Sequence, residues 1–212
     1  MSFVIRVFSI LLIFFLGNCL AKSMPKRKDF IPNTFKAYFK QSYKSSLSGK
    51  EKVTKGYIEY FFPGRVRFEV TSPDKTTFVS NPVTTWYYNA PFVDGEPGEV
   101  LIKKTGKMVI SKFFDILKTG LKNNDYYQVT NLKGLYEIRF SKNVMLEIGV
   151  KKSILSFKKT NSAPLFKDVR YIDLHYADKR VIKMTFSKIE ESVMFTENRF
   201  IFNIPENTQI SK

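Results

Sequence analysis

The side chains that most often carry out chemistry are scarce in this chain of 212 residues. Its one histidine, His175, has Asp173 and Asp178 as its nearest acidic neighbours in the sequence. A Ser–His–Asp arrangement needs three groups in fixed geometry, and the spacing around His175 does not identify one. No second histidine or cysteine stands near it to complete a metal site. These residues favour a non-catalytic protein without a metal or cofactor.

Two further polar features have ordinary interpretations. We interpret the carboxylate pair Glu190 and Glu191 as part of a solvated turn rather than as an acid–base couple. The sequence also has no glycine-rich phosphate-binding loop. Binding by this chain would therefore have to come from apolar surface and from charge.

The composition stands out in its charge and in its aromatic content. The formal net charge of +16 favours anionic partners, and nucleic acids and anionic membrane surfaces both qualify. The 21 phenylalanines suit a large apolar interior, although all-β proteins are often rich in aromatic residues for ordinary reasons.

Residues 1–21 have the pattern of an export signal. Arg6 precedes an apolar run over residues 7–16 that is too short to cross a bilayer as a mature helix. Small residues at Cys19 and Ala21 predict cleavage after Ala21. We therefore expect a mature periplasmic domain that does not meet nucleic acid.

The mature chain, residues 22–212, is expected to be a single monomeric domain. It lacks the one cysteine of the sequence, so it has neither a disulfide nor thiol chemistry. In a second interpretation, Leu16-Gly17-Asn18-Cys19 directs lipid attachment to Cys19, although asparagine before the cysteine fits that signal poorly.

Apolar residues alternate with polar ones from Arg65 onward, as in a strand with one buried face. Turns at 72–75 and 81–82, each containing proline, separate this strand from strands at 76–80 and 84–88. The pattern predicts an antiparallel meander with one aromatic face. We predict that six side chains face one cavity: Val66, Phe68, Val70, Phe78, Trp86 and Tyr88.

Between residues 107 and 121 the apolar residues no longer alternate with polar ones but recur every three or four positions, as in a helix. This predicts an amphipathic helix, either covering a sheet or acting as a lid over a cargo, and both roles can hold together. The predicted lid stripe consists of Ile110, Phe113, Phe114, Leu117 and Leu121.

Further strand-like runs lie on both sides of the meander, and we expect about ten strands in the fold. We therefore predict a mainly β fold: a half-open antiparallel β-barrel enclosing a hydrophobic cavity, closed by a helical lid. Residues 42–55 are predicted to be a polar, turn-like connection. The other predicted strands are 35–41, 57–62, 100–102, 127–132, 135–141, 145–150, 154–159, 169–176, 181–188 and 200–204.

The segment from residue 62 to residue 89 resembles the LolA-like family of periplasmic carriers of outer-membrane lipoproteins, and the resemblance extends more weakly over residues 35–205. It rests on a proline turn, an alternating strand, a Pro-Asp turn and a strand with tryptophan and tyrosine. The matching residues are Pro63, Val66-Arg67-Phe68-Glu69-Val70, Ser72-Pro73-Asp74, Val79-Ser80-Asn81, Trp86-Tyr87-Tyr88-Asn89 and a Pro-Phe-Val-Asp run from Pro91 to Asp94.

This resemblance implies a cavity that shields lipoprotein acyl chains during transit from the inner to the outer membrane. It also implies an inner-membrane ABC transporter as donor and an outer-membrane lipoprotein as acceptor. The net positive charge adds the expectation of transient contact with membrane surfaces. Two alternatives stay open: an acceptor lipoprotein of the same fold anchored through Cys19, and a periplasmic sensor or interaction module.

Phe62 departs from the family pattern, in which a basic residue before the proline bonds backbone groups of the lid. Alternation places Arg65 and Arg67 outside, so neither replaces it. We predict that Phe62 lines the cavity and that the lid is held mainly by apolar contact through Phe113, Phe114 and Leu117. An arginine at position 62 is expected to restore a latch if a backbone carbonyl lies within its reach.

Overall fold

The computed structural model describes residues 29–45, 48–104, 109–158 and 163–211. The predicted export signal, residues 1–21 with Cys19, lies outside these ranges. Within them, neither α-helix has the length and apolarity needed to cross a membrane. The helices are α1 (Val109–Leu117) and α2 (Lys142–Ile148), and the strands are β1 (Thr34–Lys44), β2 (Glu51–Phe61), β3 (Arg65–Ser72), β4 (Thr76–Ser80), β5 (Thr84–Asn89), β6 (Gly98–Lys104), β7 (Tyr127–Leu132), β8 (Leu135–Phe140), β9 (Val150–Phe157), β10 (Val169–Tyr176), β11 (Val181–Glu191) and β12 (Thr208–Ser211).

All these strands form one sheet in the order β12-β6-β5-β4-β3-β2-β1-β11-β10-β9-β8-β7. The two end strands, β12 and β7, are not paired with each other, so the sheet is open. The predicted mainly β fold with an open sheet and covering helices is confirmed. The sheet is not wholly antiparallel, however, because β12 runs parallel to β6.

Cross-strand register separates the sheet into an inner and an outer face, since directly opposed residues share a face. Tyr60 lies opposite both Phe35 and Val66, and all three are fully buried on the inner face. The Tyr60 ring stacks on Phe35 with centroids 5.1 Å apart. These residues form the floor on which α1 packs.

Helix α1 forms where the apolar stripe predicted it. Ile110, Phe113, Phe114 and Leu117 are at most 9% exposed, and their spacing places them on one side of the helix. The ring of Phe114 packs edge-on against Phe35, with centroids 4.9 Å apart. Burying four large apolar side chains at about 1.5–3 kcal/mol each holds this short helix on the sheet.

The predicted strand 145–150 is wrong. Helix α2 occupies most of that segment, and its buried residues Val144 and Ile148 are four positions apart. Gly149 ends the helix in the left-handed conformation, with φ of 69°, which glycine adopts without steric cost. A short apolar run fits a period of two and a period of 3.6 equally well, so the sequence did not distinguish them.

The predicted strand 200–204 is also wrong. Residues 196–205, called here the C-terminal strap, begin with a 3₁₀ turn at Glu197–Phe200 and cross the outer face of the sheet. Phe200 is fully buried between Phe61 and Phe195, so its apolar side chain packs on the sheet without pairing in it.

Two predicted turns lie in strands. Most of residues 42–55 belongs to the long hairpin of β1 and β2. Pairing continues to its last two residue pairs, Tyr43 opposite Lys52 and Lys44 opposite Glu51. The pair Glu190–Glu191 ends β11 instead of forming a turn. Polar residues dominate both segments because they extend beyond the buried core, so their composition resembled that of turns.

Candidate functional site

An apolar groove runs between the inner face of the sheet and α1. Its deep compartment has a volume of about 140 Å³ and is roofed by Val109, Ile110 and Phe113 of α1. Leu174 and Met184 contribute to its walls from the sheet. Its lining surface is mainly apolar, so the compartment suits an apolar ligand without fixed hydrogen-bonding groups.

A wider mouth compartment of about 490 Å³ adjoins the deep one. Gln41, Phe68 and Ile182 line both compartments, so the two adjoin on the inner face and are described here as one groove. The mouth opens where the β1–β2, β3–β4 and β10–β11 hairpins end. Its rim carries Lys44, Lys52 and Arg180 together with Asp74. The groove thus has an apolar floor beneath a mainly cationic rim.

Four of the predicted cavity residues come together on the inner face. Phe68, Val70 and Phe78 line the mouth compartment, and Phe68 stacks on Phe39 with centroids 4.7 Å apart. Val66 shares their face but is fully buried in the core. Phe68 lies directly opposite Phe78 in the pairing of β3 with β4, as the alternation predicted.

The predicted placement of Trp86 and Tyr88 in the cavity is wrong. The connection between β4 and β5 pairs Phe78 with Tyr87 and Val79 with Trp86, which puts Tyr87 on the inner face. Tyr87 lines the mouth compartment in their place. A shift of one position in the strand reverses the face of every side chain, and the sequence of β5 did not fix that position.

Tyr88 has a structural role on the outer face. Its ring lies 5.2 Å from that of Phe202 in the C-terminal strap. It also covers Gly98, where an added Cβ would lie 2.6 Å from the Tyr88 hydroxyl oxygen. The close approach explains why the residue at the start of β6 is glycine.

The predicted lid residues divide into two groups. Ile110 and Phe113 line the deep compartment, whereas Phe114 and Leu117 pack into the core beside it. Leu121 follows the end of α1 and packs against the core from a surface pocket. The lid helix, the name used here for α1, therefore covers the deep end of the groove and leaves the mouth open.

Phe62 follows the end of β2 and does not line either compartment, so its predicted place in the cavity is wrong. It packs at the edge of the core, with Lys118 Nζ 4.7 Å from the centre of its ring. The ring and the ammonium group form a cation–π contact.

The lid helix also makes a polar contact that was not predicted from the sequence. The Tyr60 hydroxyl donates a hydrogen bond of 2.5 Å to Asp115 Oδ1, and the backbone N–H of Gly64 donates one of 3.3 Å to the same oxygen. Burial and the bond to Asp115 raise the pKa of Tyr60 far above its ordinary value, so the phenol stays protonated. The prediction of a mainly apolar hold is therefore incomplete.

Lys118 makes a second set of polar contacts just beyond the lid helix. Its ammonium group donates to Asn33 Oδ1 at 2.6 Å and to the carbonyl of Ile31 at 3.3 Å, and it lies 2.8 Å from Asp29 Oδ2. The basic residue thus stands on the lid side of the contact, not at position 62 on the sheet side. Asp115 and Lys118 are three positions apart, but nothing in the sequence identified their partners.

A buried carboxylate anchors the strap to the outer face. Glu59 is 2% exposed and accepts hydrogen bonds from Arg199 Nε at 2.5 Å and from Lys36 Nζ at 3.0 Å. Burial alone would raise the pKa of Glu59, but the bonds from Arg199 and Lys36 hold it below its usual value. The three residues are far apart in the sequence, and the role of their cluster is structural.

No group of three or more His, Cys, Asp or Glu residues in the described ranges is arranged to hold a metal ion. His175 lies in β10, as predicted, and packs on the outer face between Lys152 and Val181. The groove remains the candidate functional site.

Comparison with known proteins adds to this picture. The family model described as "Outer membrane lipoprotein carrier protein LolA" matches residues 32–203. The chain is 24% identical over 192 residues to the outer-membrane lipoprotein carrier protein of Dechloromonas aromatica, covering 90% of this chain and 88% of that protein. It is 23% identical over 158 residues to the protein of the same name from Francisella philomiragia, covering 74% and 71% respectively.

One solved structure similar to this one is that of a LolA superfamily protein from Nitrosomonas europaea. The match covers 82% of this chain and 93% of that chain, with 9% sequence identity and a TM-score of 0.48.

Proposed function

The chain belongs to the LolA family of outer membrane lipoprotein carrier proteins, and from this membership we propose that it carries lipoproteins across the periplasm. In this proposal the acyl chains of the cargo occupy the groove beneath the lid helix. The observation that carries the proposal is the apolar deep compartment beneath the lid helix with a wide mouth adjoining it. Carriage requires no bond to be made or broken, so the protein acts as a chaperone rather than an enzyme.

The energetics of an acyl chain fit an apolar groove. Exposing a lipid chain to water costs about 0.8 kcal/mol per methylene, so a carrier must hide the chain throughout its passage. Contacts of this type have no fixed direction, which lets different chains bind and leave again. Phe68, Ile182 and Met184 supply such contacts in the proposed site.

Cargo entry would require the lid helix to move. The deep compartment of about 140 Å³ is well below the 300–1,000 Å³ of usual ligand pockets, as expected for a closed state. Phe113 forms part of the roof of this compartment and is buried, so a larger ligand would displace it. Outward movement of α1 would also break the bond from Tyr60 to Asp115, which makes that bond a latch in this proposal.

The partner proteins would set the direction of lipoprotein transfer. We propose an inner-membrane lipoprotein-releasing ABC transporter as the donor and an outer-membrane acceptor lipoprotein as the receiver, with this chain as a monomer between them. The cationic rim of Lys44, Lys52 and Arg180 would favour acidic surfaces on such partners, chiefly by raising association rates.

Co-purification with a cargo tests the proposal. The tagged protein would be isolated from the periplasm of a Gram-negative host that expresses a lipoprotein or its cysteine-to-serine form, which carries no acyl chain. We expect the acylated cargo to co-purify and the unacylated form to be absent. Replacement of Phe113 by aspartate should abolish capture, whereas Tyr38→Phe on the outer face should not. Equal recovery of both cargo forms, or of neither, would contradict the proposal.

A further inference from the structure

A second cleft lies on the outer face, separate from the groove. It has a volume of about 310 Å³ and lies at the mouth end of β8, β9, β10 and β11. Cross-strand pairing sets Arg139 opposite Lys152, Lys152 opposite His175 and His175 opposite Val181. These residues form one row across four strands, which gives the cleft a rigid floor. It is called the basic cleft below.

Five cationic side chains line the basic cleft. Two carboxylates neutralise part of this charge: Glu137 accepts from Arg139 at 2.5 Å and from Lys152 at 2.7 Å, and Asp178 accepts from Arg180 at 2.6 Å. The cationic residues are Arg139, Lys151, Lys152, Lys179 and Arg180. An excess of positive charge therefore remains in a concave site, which favours an anionic ligand.

His175 adds an unused polar atom to the basic cleft. Its Nε2 is buried and has no hydrogen-bond partner among the described residues. Buried polar atoms in folded proteins are almost always paired, so a small rotation of the imidazole toward the cleft would let a bound ligand supply the missing partner. A phosphate group offers oxygen atoms for this imidazole and for the surrounding lysines and arginines.

The basic cleft adjoins the mouth of the apolar groove. Arg180 and Val181 line both, so the β10–β11 hairpin separates the cationic site from the apolar one. Lys44 and Lys52 continue the positive charge along the rim. A surface with an apolar opening bordered by phosphate-binding groups matches the chemistry of a membrane leaflet, where acyl chains lie beneath anionic headgroups.

We propose that the basic cleft binds the phosphodiester headgroup of acidic phospholipids and thereby sets the groove mouth against an anionic membrane surface. Lys151 and Lys179 are exposed and stand at the outer edge of the cleft, where they would make the first contacts. Arg139, Lys152 and His175 would then contact the phosphate inside it. This role does not depend on the nature of the cargo, because it concerns the membrane and not the groove.

Vesicle flotation with charge-matched variants tests the site. Wild-type protein should float with phosphatidylcholine vesicles that contain phosphatidylglycerol and not with vesicles of phosphatidylcholine alone. The double variant Lys151→Glu/Lys179→Glu should bind at least about tenfold more weakly, given about 1 kcal/mol per basic residue at an anionic surface. The control Lys104→Glu/Lys167→Glu alters net charge equally at two exposed lysines at the other end of the sheet and should float like wild type.

Two outcomes would overturn the inference. Equal weakening by both double variants would show that net charge, not the basic cleft, drives membrane contact. Absence of wild-type flotation with the phosphatidylglycerol vesicles, together with saturable binding of inorganic phosphate that Lys151→Glu/Lys179→Glu removes, would assign the cleft to free phosphate instead. An unchanged urea-unfolding midpoint of the Lys151→Glu/Lys179→Glu variant checks its folding, so this test does not depend on the carrier proposal.

Discussion

The phenol of Tyr60, fully buried in the sheet, donates a 2.5 Å hydrogen bond to Asp115 on the lid helix. This bond joins the inner face of β2 to the one element that must move if the groove is to take up a larger ligand. A second set of contacts, from Lys118 to Asn33 and Asp29, fixes the chain just after that helix. The lid is thus held by polar groups at two points as well as by apolar packing.

Replacement of Tyr60 by phenylalanine should loosen the lid without removing the aromatic ring from the core. A hydrogen bond to a charged group contributes about 1.5–3 kcal/mol, so we expect a loss of about that size in the free energy that keeps α1 docked. Hydrogen exchange of the amides of Val109–Leu117 measures this change directly. Tyr38→Phe, on the outer face and 38% exposed, is the matched control and should leave the exchange unchanged.

An arginine at position 62 should weaken the lid instead of restoring a latch. Lys118 Nζ lies 4.7 Å from the centre of the Phe62 ring, so Phe62→Arg would replace a favourable cation–π contact with two neighbouring cations. The same exchange experiment should show faster exchange near Lys118. Phe62→Leu, which removes the ring but adds no charge, should have a smaller effect. Slower exchange in Phe62→Arg would show that the sequence-based expectation of a basic latch was right.

Acid should release the strap through Glu59. The folded pKa of this carboxyl lies below its usual value because Arg199 and Lys36 donate hydrogen bonds to it. The stability from this ionised group is therefore present above the unfolded pKa of about 4.5 and is lost as the pH falls through the lower folded pKa. Urea titrations of the wild type at a series of pH values should show the free energy of unfolding falling in that acidic range.

The variant Glu59→Gln isolates this effect. At pH 7 it should lower the free energy of unfolding by about 1.5–3 kcal/mol, because Arg199 and Lys36, which both keep partial access to water, lose their charged buried partner. It should also flatten the acidic part of the stability curve. Glu69→Gln, in a more exposed pair with Arg67 on the same face, should change both far less. An unchanged acidic slope in Glu59→Gln would assign the pH dependence to other carboxyls.

Local periodicity explains which parts of this structure could be predicted. The alternation that ends at Val70 and the stripe from Ile110 to Leu117 each repeat long enough to identify a strand and a helix. The face of Trp86 was not predictable, because it depends on how the connection after Ser80 sets the register. Helix α2 spans only Lys142–Ile148, too short for its period to be distinguished from that of a strand.

The polar contacts of the site could not be predicted for a different reason. Tyr60 and Asp115 are 55 positions apart, and Glu59 and Arg199 are 140 apart. No local pattern links residues so distant, and each looks like an ordinary polar residue in its own segment. Only the folded sheet brings them together.

The central claim is that lipoprotein acyl chains occupy the groove on the inner face of the sheet. It is tested most directly by placing a photoreactive phenylalanine analogue at Tyr87, which lines the mouth, or at Tyr88, which lies on the outer face. After irradiation with an acylated lipoprotein, we predict a crosslink from position 87 and none from position 88, and none from either with the unacylated cargo. A crosslink from position 88 equal to that from position 87, or one that persists without the acyl chains, would contradict the account.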